Sequence, residues 1–138
     1  MSYKIEEKLV IAVSSSALFD LSESDGVFRE QGSKAYKDFQ KSSIDNVLDT
    51  GVAYPFIRRF LSFNKYFPAE QPVEVVLLSR NSTATGQRVF RSIEHYGLDI
   101  SRAAFLTGES PFSYIPAFNA SLLLTANEDD VVKAVEAS

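Results

Sequence analysis

The chain contains no cysteine, which excludes three kinds of chemistry at once. Without thiols there is no disulfide framework, no thiolate zinc site and no cysteine nucleophile. Positive charge is also scarce, because 14 lysines and arginines stand against 18 aspartates and glutamates, for a formal net charge of -4. Binding to duplex nucleic acid needs a clustered basic face, so this balance argues against a nucleic-acid partner.

Long hydrophobic runs are missing as well. The segment Met1 to Lys8 is polar and charged, so it cannot serve as the apolar part of a secretory signal. No run approaches the roughly 20 apolar residues that span a bilayer. We therefore expect a cytoplasmic protein with no membrane partner. A chain of 138 residues with 45% hydrophobic residues has ordinary globular composition, and we expect residues 1–138 to form one domain.

Four short apolar runs are candidate strands: Leu9–Val13, Val73–Leu78, Ala103–Leu106 and Ser121–Thr125. The first two are continuous and rich in β-branched residues, as is typical of parallel strands buried on both faces. Helical patterns separate the runs, at Phe28–Phe39, at Pro55–Phe63, from Thr83 or Thr85 to Gly97, and at Glu128–Glu136. This alternation predicts an α/β fold with a parallel sheet and right-handed crossovers.

Polar residues follow each predicted strand, where ligands bind in open α/β sheets. They are Ser14–Ser16 with Asp20 and Ser22, then Ser79–Thr83, then Thr107–Ser110, and finally Asn127–Asp130. Hydroxyls and amides before a helix suit a phosphate, and the oxygen atoms of Asp20 with those of the last group suit Mg²⁺. The alternative is that these residues only cap helices, as Ser, Thr, Asn and Asp commonly do.

Several of these stretches resemble the cytosolic type I 5'-nucleotidases of the haloacid dehalogenase superfamily. The matching residues include Val10–Asp20, Arg29–Gly32, Tyr54–Phe56, Val76–Ser82, Ser92–Leu98, Phe105–Gly108 and Leu123–Asn127. The resemblance runs along nearly the whole chain and concerns the amino-terminal half of that family only. It implies a three-layer, Rossmann-like (haloacid dehalogenase-like) α/β domain with a parallel sheet of about four strands. It also places residues 24–50 where this superfamily often inserts a small cap.

The activity implied by the resemblance is Mg²⁺-dependent hydrolysis of nucleoside 5'-monophosphates or other small phosphate esters. In the superfamily, an aspartate at the end of the first strand attacks phosphorus and a second aspartate two positions later is the acid–base group. Carried over residue by residue, the resemblance gives one set of expected positions. These are Asp20 as nucleophile and metal ligand, Ser22 at the acid–base position, Ser79 as phosphate ligand, and Asn127 or Asp129 as a further metal ligand. Arg80 and Asn81 are further candidate phosphate ligands because they follow Ser79 at the end of the second predicted strand.

The sequence departs from the superfamily pattern at three positions. The hydroxyl of Ser22 titrates far outside the working range and cannot replace a carboxylate. No Lys or Arg occurs from Gly108 to Pro116, where a basic residue is expected, and Asn127 is a neutral metal ligand. The alternative function is therefore a non-catalytic module that binds nucleotide or phosphate, or that forms a homodimer through the aromatic-rich stretch Tyr54–Phe67. That stretch is otherwise read as core.

Overall fold

The computed structural model describes residues 8–43, 45–79, 83–100, 102–105, 115–126 and 128–137. Its strands are β1 (Leu9–Ser14), β2 (Val73–Ser79), β3 (Arg102–Phe105) and β4 (Leu122–Leu124). Its helices are α1 (Ser15–Leu18), α2 (Ser22–Ser42), α3 (Tyr54–Ser62), α4 (Thr83–Tyr96) and α5 (Glu128–Ala137), with a 3-10 turn at Phe63–Lys65. All four predicted strands and all four predicted helices are present.

The four strands form one parallel sheet in the order β3-β2-β1-β4. In the central pair, Val10 lies opposite Glu74 and Ser14 lies opposite Leu78. The side chains of β1 from Val10 to Val13 have no exposed surface, because helices and loops cover both faces of the strand. This arrangement confirms the predicted Rossmann-like α/β fold, with the sheet flanked by helices.

The apolar core is divided by the sheet into two clusters. Because neighbouring strand residues point to opposite faces, β1 contributes Ile11 and Val13 to one cluster and Val10 and Ala12 to the other. The larger cluster also holds Phe19, Ile57 and Leu61, so α3 packs on that face. Burying a side chain of this size stabilises the fold by about 1.5–3 kcal/mol relative to leaving it exposed.

Helix α2 begins earlier than the sequence predicted and contains a kink. Gly32 has φ +89°, a conformation that only glycine adopts without strain, and the helical geometry is interrupted there. Beyond the kink, α2 contacts α4 through polar groups, since the Tyr36 hydroxyl lies 2.6 Å from the Thr85 hydroxyl. Within the described ranges, no helix is both long and apolar enough to cross a bilayer.

Glu74 is an acidic residue within β2, and its burial gives the fold a testable pH dependence. Its Oε1 lies 2.9 Å from Nε of Arg102, and its Oε2 is buried with no hydrogen-bond partner among the described residues. Burial raises the pKa of Glu74 from its usual 4.5, and the charge of Arg102 offsets this only in part. The folded chain therefore holds this proton more tightly than the unfolded chain does.

We expect Glu74→Gln to make the stability of the chain rise more steeply with pH above pH 4.5. Because the folded pKa is raised, the contribution of Glu74 is most favourable below pH 4.5 and declines as pH rises through the folded pKa. The free energy of unfolding, measured with denaturant at several pH values, should therefore increase for the variant relative to the wild type as the pH rises from 4.5 through the folded pKa of Glu74. Glu94→Gln, an exposed position on α4, is the matched control. Parallel curves for wild type and Glu74→Gln would contradict this account.

Candidate functional site

A cluster of serine hydroxyls lies at the carboxyl ends of β1 and β2. Ser14 ends β1 and its Oγ accepts a hydrogen bond from the backbone N–H of Ala17 at 3.2 Å, which caps the short helix α1. The Oγ atoms of Ser15 and Ser79 lie 3.0 Å apart, and both residues are buried. The hydroxyl of Ser79, predicted to hold phosphate, therefore contacts the hydroxyl of Ser15.

Asp20 lies beyond α1, and a serine occupies the last position of β1. The backbone around Asp20 is held on both sides, because Phe19 pairs with Thr50 and the Asp20 N–H donates to the carbonyl of Asp49 at 2.8 Å. The Asp20 side chain is exposed, and its Oδ1 accepts the backbone N–H of Ser22 at 2.9 Å. Asp20 thus sits at the amino terminus of α2, where a negative charge is favoured.

Ser22 lowers the pKa of the carboxyl group of Asp20. The Ser22 hydroxyl and then its backbone N–H lower the pKa of Asp20 from its usual 3.8, and a small desolvation effect opposes them. Asp20 is consequently a carboxylate at neutral pH, which a nucleophile or a metal ligand must be. The structure therefore brings together the two residues that the sequence predicted as catalytic.

Asp20 lines a cavity of about 170 Å³ that lies between the start of α2, the loop before α3 and helix α4. The lining residues are Asp20, Ser22, Glu23, Ser24, Val47, Leu48, Asp49 and Arg88. The carboxylates of Asp20, Glu23 and Asp49 are exposed, whereas Arg88 is only 6% exposed. The cavity thus has acidic groups at its mouth and one buried cation at its base.

Arg88 is held in place by neutral acceptors. Its Nε donates to the carbonyl of Asn46 at 2.9 Å, and its Nη1 donates to Oε1 of Gln40 at 3.1 Å and to Oγ of Ser24 at 3.3 Å. Burial lowers the pKa of Arg88, while the charge of Glu23 acts in the opposite direction. An arginine nevertheless stays charged in proteins, so a full positive charge lies at the base of the cavity.

The other predicted site residues are only partly visible in the structure. Ser79 does not line the cavity that holds Asp20. Arg80, Asn81 and Asn127 lie outside the described residues, and so does the side chain of Asp129, whose backbone is in the first turn of α5. The described structure therefore pairs Asp20 with Ser22 and Ser79 with Ser15.

Sequence reasoning missed Arg88, although a signal for it exists. Thr85, Arg88 and Ser92 are spaced as one face of a helix, and all three are buried. A polar stripe of this kind normally indicates a solvated face. Here it faces α2 and the loop before α3, where Ser92 Oγ accepts the backbone N–H of Leu48 at 3.0 Å.

A magnesium site can be tested only in part. Asp20 supplies an ionised, exposed carboxylate of the kind that Mg²⁺ prefers. Among the residues that the structure describes, no three His, Cys, Asp or Glu side chains are grouped so that they could hold a metal ion. Of the predicted ligands, Asp20 alone therefore has a described side chain.

Comparison with known families decides the classification of the chain. A family model described as 5'-nucleotidase matches residues 1–138. The chain belongs to the 5'-nucleotidase family. It is also 28% identical over 138 residues to human cytosolic 5'-nucleotidase 1B, a match that covers 96% of this chain and 23% of the relative. The family predicted from the sequence is thereby confirmed.

The chain spans about a quarter of the length of that curated relative. No solved structure matches the chain significantly. The family membership of this 5'-nucleotidase domain therefore rests on sequence, and the parallel sheet described above is consistent with it. What the longer relative does as a whole protein carries over to this chain only as a proposal.

Proposed function

We propose that this member of the 5'-nucleotidase family is a cytoplasmic, metal-dependent phosphohydrolase that acts on nucleoside 5'-monophosphates or other small phosphate esters. Family membership supports the nucleotide substrate. The observation that carries the proposal for this chain is Asp20, an ionised carboxylate that is held by Ser22 at the mouth of an open cavity. A carboxylate in this state can act as a nucleophile toward phosphorus.

In the proposed reaction, a carboxylate oxygen of Asp20 forms a bond to phosphorus while the bond from phosphorus to the ester oxygen breaks. The leaving ester oxygen takes a proton from water, because the hydroxyl of Ser22 is too weak an acid to supply one. Water then hydrolyses the aspartyl phosphate, which releases inorganic phosphate and restores Asp20. Ser22 orients the free carboxylate before it attacks and lowers its pKa.

The proposal includes the binding groups predicted above from the sequence. Ser79, Arg80 and Asn81 would contact the phosphoryl oxygens, and Asp20 with Asn127 and Asp129 would hold Mg²⁺. A bound magnesium ion supplies charge neutralisation at the phosphoryl group. We also propose that residues 1–138 form one domain and that residues 24–50 form a small cap. The contact of α2 with α4 supports a fixed position for most of that segment.

Metal removal tests the proposed activity directly. We expect the purified chain to release phosphate from nucleoside 5'-monophosphates in magnesium buffer, to lose this turnover with EDTA, and to regain it when excess Mg²⁺ is added. Circular dichroism in EDTA serves as the control that the fold is retained. Turnover that continues unchanged in EDTA would contradict the metal dependence. A folded chain with no turnover on any monophosphate would contradict the enzyme.

A second candidate function is a non-catalytic binding or dimerising module. Ser14 favours it, because the last position of β1 carries a hydroxyl where the superfamily pattern implies an aspartate. The second candidate is also favoured by exposed aromatic side chains on the outer side of α3 and in the turn after it, which form a surface suited to a partner chain. Phe63, Tyr66 and Phe67 are at least half exposed there, and Phe56 is 39% exposed. In that case, ultracentrifugation should show a concentration-dependent dimer that Phe63→Ser weakens, with phosphate release absent.

A further inference from the structure

The cavity beside Asp20 contains a buried positive charge that makes no ion pair with the described residues, although the charge of Glu23, which also lines the cavity, acts on it. None of the hydrogen bonds of Arg88 goes to a carboxylate, and within the described chain its Nη2 makes no hydrogen bond. The neighbouring Nε2 of Gln40 is also buried without a partner among the described residues. A buried charge normally has a counter-ion, so this one points to a ligand.

The backbone at the start of α2 adds to this preference for an anion. Leu21 at the N-cap provides no side-chain cap, and Oδ1 of Asp20 accepts one of the first N–H groups, that of Ser22. The positive end of the helix dipole lies beside the cavity, which the first residues of α2 line. The exposed carboxylates at the mouth oppose an anion, but solvent screens them. Arg88 lies deeper, where screening is weaker and its attraction for an anion is stronger.

The acidic groups at the mouth indicate what accompanies the anion. Carboxylates commonly accept hydrogen bonds from ribose hydroxyls in nucleotide-binding proteins. The Asp49 side chain is exposed at the mouth, and Asp49 is joined to Asp20 through the backbone bond from Asp20 N–H to the Asp49 carbonyl. A ligand with an anionic end and hydroxyl groups would match Arg88 at the base and Asp49 at the mouth.

The size of the cavity limits the ligand further. Sites for drug-sized molecules span about 300–1,000 Å³. The volume here, about 170 Å³, has room for a sugar phosphate, and a purine or pyrimidine base would remain outside it.

We propose that this cavity binds the ribose 5-phosphate part of a nucleotide, with Arg88 contacting the phosphoryl oxygens and Asp49 accepting a ribose hydroxyl. The choice of a nucleotide rests on the proposed function. The inference supplies the basic group that is missing between Gly108 and Pro116. It places the phosphoryl group beside Asp20, in a cavity that Ser79 does not line, so Arg88 takes the place of Ser79 as the phosphate ligand. Arg88 and Asp49 are binding residues in this arrangement.

Titration calorimetry of the full chain with ribose 5-phosphate, inorganic phosphate and ribose, in EDTA, tests this inference. Ribose 5-phosphate should bind more tightly than either fragment. Arg88→Lys should weaken ribose 5-phosphate and inorganic phosphate by roughly tenfold or more, because the planar fork of donors is lost. Asp49→Asn should weaken the binding of ribose 5-phosphate by about fivefold, because a hydrogen bond to a charged acceptor becomes a weaker one to a neutral amide oxygen.

The effect of Asp49→Asn on the binding of inorganic phosphate distinguishes the hydrogen bond to ribose from the effect of the charge of Asp49. Removing a negative charge from the mouth should leave phosphate binding unchanged or tighten it. Asp45→Asn is the matched control, since Asp45 is exposed in the same loop and pairs with Arg91 at the surface, away from the cavity lining. If Arg88→Lys fails to fold, Asp49→Asn still tests the inference, because the Asp49 side chain is exposed and its replacement should not affect folding.

Two results would overturn the inference: no binding of ribose 5-phosphate by the folded wild-type chain, or an Asp49→Asn chain that binds ribose 5-phosphate as tightly as the wild type or more tightly. The outcome is independent of turnover. Binding with this pattern but no phosphate release would contradict the proposed hydrolysis and support the proposed binding site. Turnover by a chain that does not bind ribose 5-phosphate would support the enzyme and contradict the site.

Discussion

Replacing Asp20 with asparagine is expected to reduce phosphate release by roughly 10⁴–10⁶-fold, the range seen when a covalent nucleophile is removed from a hydrolase. The amide cannot form the aspartyl phosphate on which the proposed reaction depends. The fold should survive, since Oδ1 of asparagine can still accept the backbone N–H of Ser22 that Asp20 binds at 2.9 Å. Phosphate release and the thermal midpoint, measured on the same preparation, separate lost chemistry from lost structure.

Asp45→Asn is the matched control for this substitution. It makes the same chemical change at an exposed carboxylate that lies outside the cavity and pairs with Arg91 at 3.0 Å. Its turnover should equal that of the wild type. If Asp20→Asn retains wild-type turnover with an unchanged thermal midpoint, Asp20 is not the nucleophile. The carboxylate that attacks phosphorus would then have to be sought elsewhere in the chain.

The pH profile of turnover gives a second test of Asp20. Its pKa is lowered from 3.8 by the hydroxyl and the backbone N–H of Ser22, so the attacking form persists as the solution becomes acidic. Turnover should therefore not decline through protonation of Asp20 until the pH falls below the usual aspartate range. Ser22→Ala removes the larger of the two causes and should move that acidic limb to higher pH.

The parts of the fold that the sequence predicted best are those whose residues have only one favourable environment. The run from Val10 to Val13 is apolar at every position, so it requires cover on both faces of a sheet, and the structure buries it completely. The strand order was not predictable in this way. Patterns within a strand do not specify its neighbours, and β1 lies between β2 and β4.

Helix α2 shows where pattern reasoning fails. Its contacts with α4 are made by Ser24, Tyr36 and Gln40, which are buried although two of them are strongly polar. An apolar periodicity therefore marks only a fraction of the buried face, and the start of the helix at Ser22 gives no hydrophobic signal. The same limitation hid Arg88, whose burial depends on acceptors that come from distant parts of the chain.

The candidate site was predictable where it depends on local sequence. Asp20 and Ser22 are two residues apart, and their contact is the ordinary turn in which an aspartate accepts the N–H two residues later. The contact between Ser15 and Ser79 joins the ends of two strands and follows from the parallel pairing of β1 with β2. The cavity could not be predicted in this way. Its shape depends on where the loop carrying Asp49 lies, and no local sequence pattern specifies that position.

The position of that loop depends on the close approach of Gly51 to the backbone of α1. A substitution at Gly51 therefore has the largest expected effect on stability. A Cβ atom at this position would lie 2.4 Å from the carbonyl oxygen of Ala17 and 3.0 Å from the carbonyl carbon of Leu18. Both contacts are with backbone, so neither can be relieved by turning a side chain. The same segment is bonded to α1, since the Gly51 N–H donates to the Leu18 carbonyl at 2.8 Å.

Gly51→Ala is therefore expected to lower the free energy of unfolding by about 3 kcal/mol or more, the upper end of overpacking costs. It should also reduce turnover, because the carbonyls that would clash belong to Ala17 and Leu18, three and two residues before Asp20, and relief of the clash displaces Asp20. Gly26→Ala is the matched control, since a Cβ there meets nothing within 4 Å inside α2. That change should stabilise the chain by roughly 0.5–1 kcal/mol, as alanine does in helices. Urea unfolding of the two variants should thus shift in opposite directions, and equal shifts would show that the approach of residues 50–53 to α1 is looser than described.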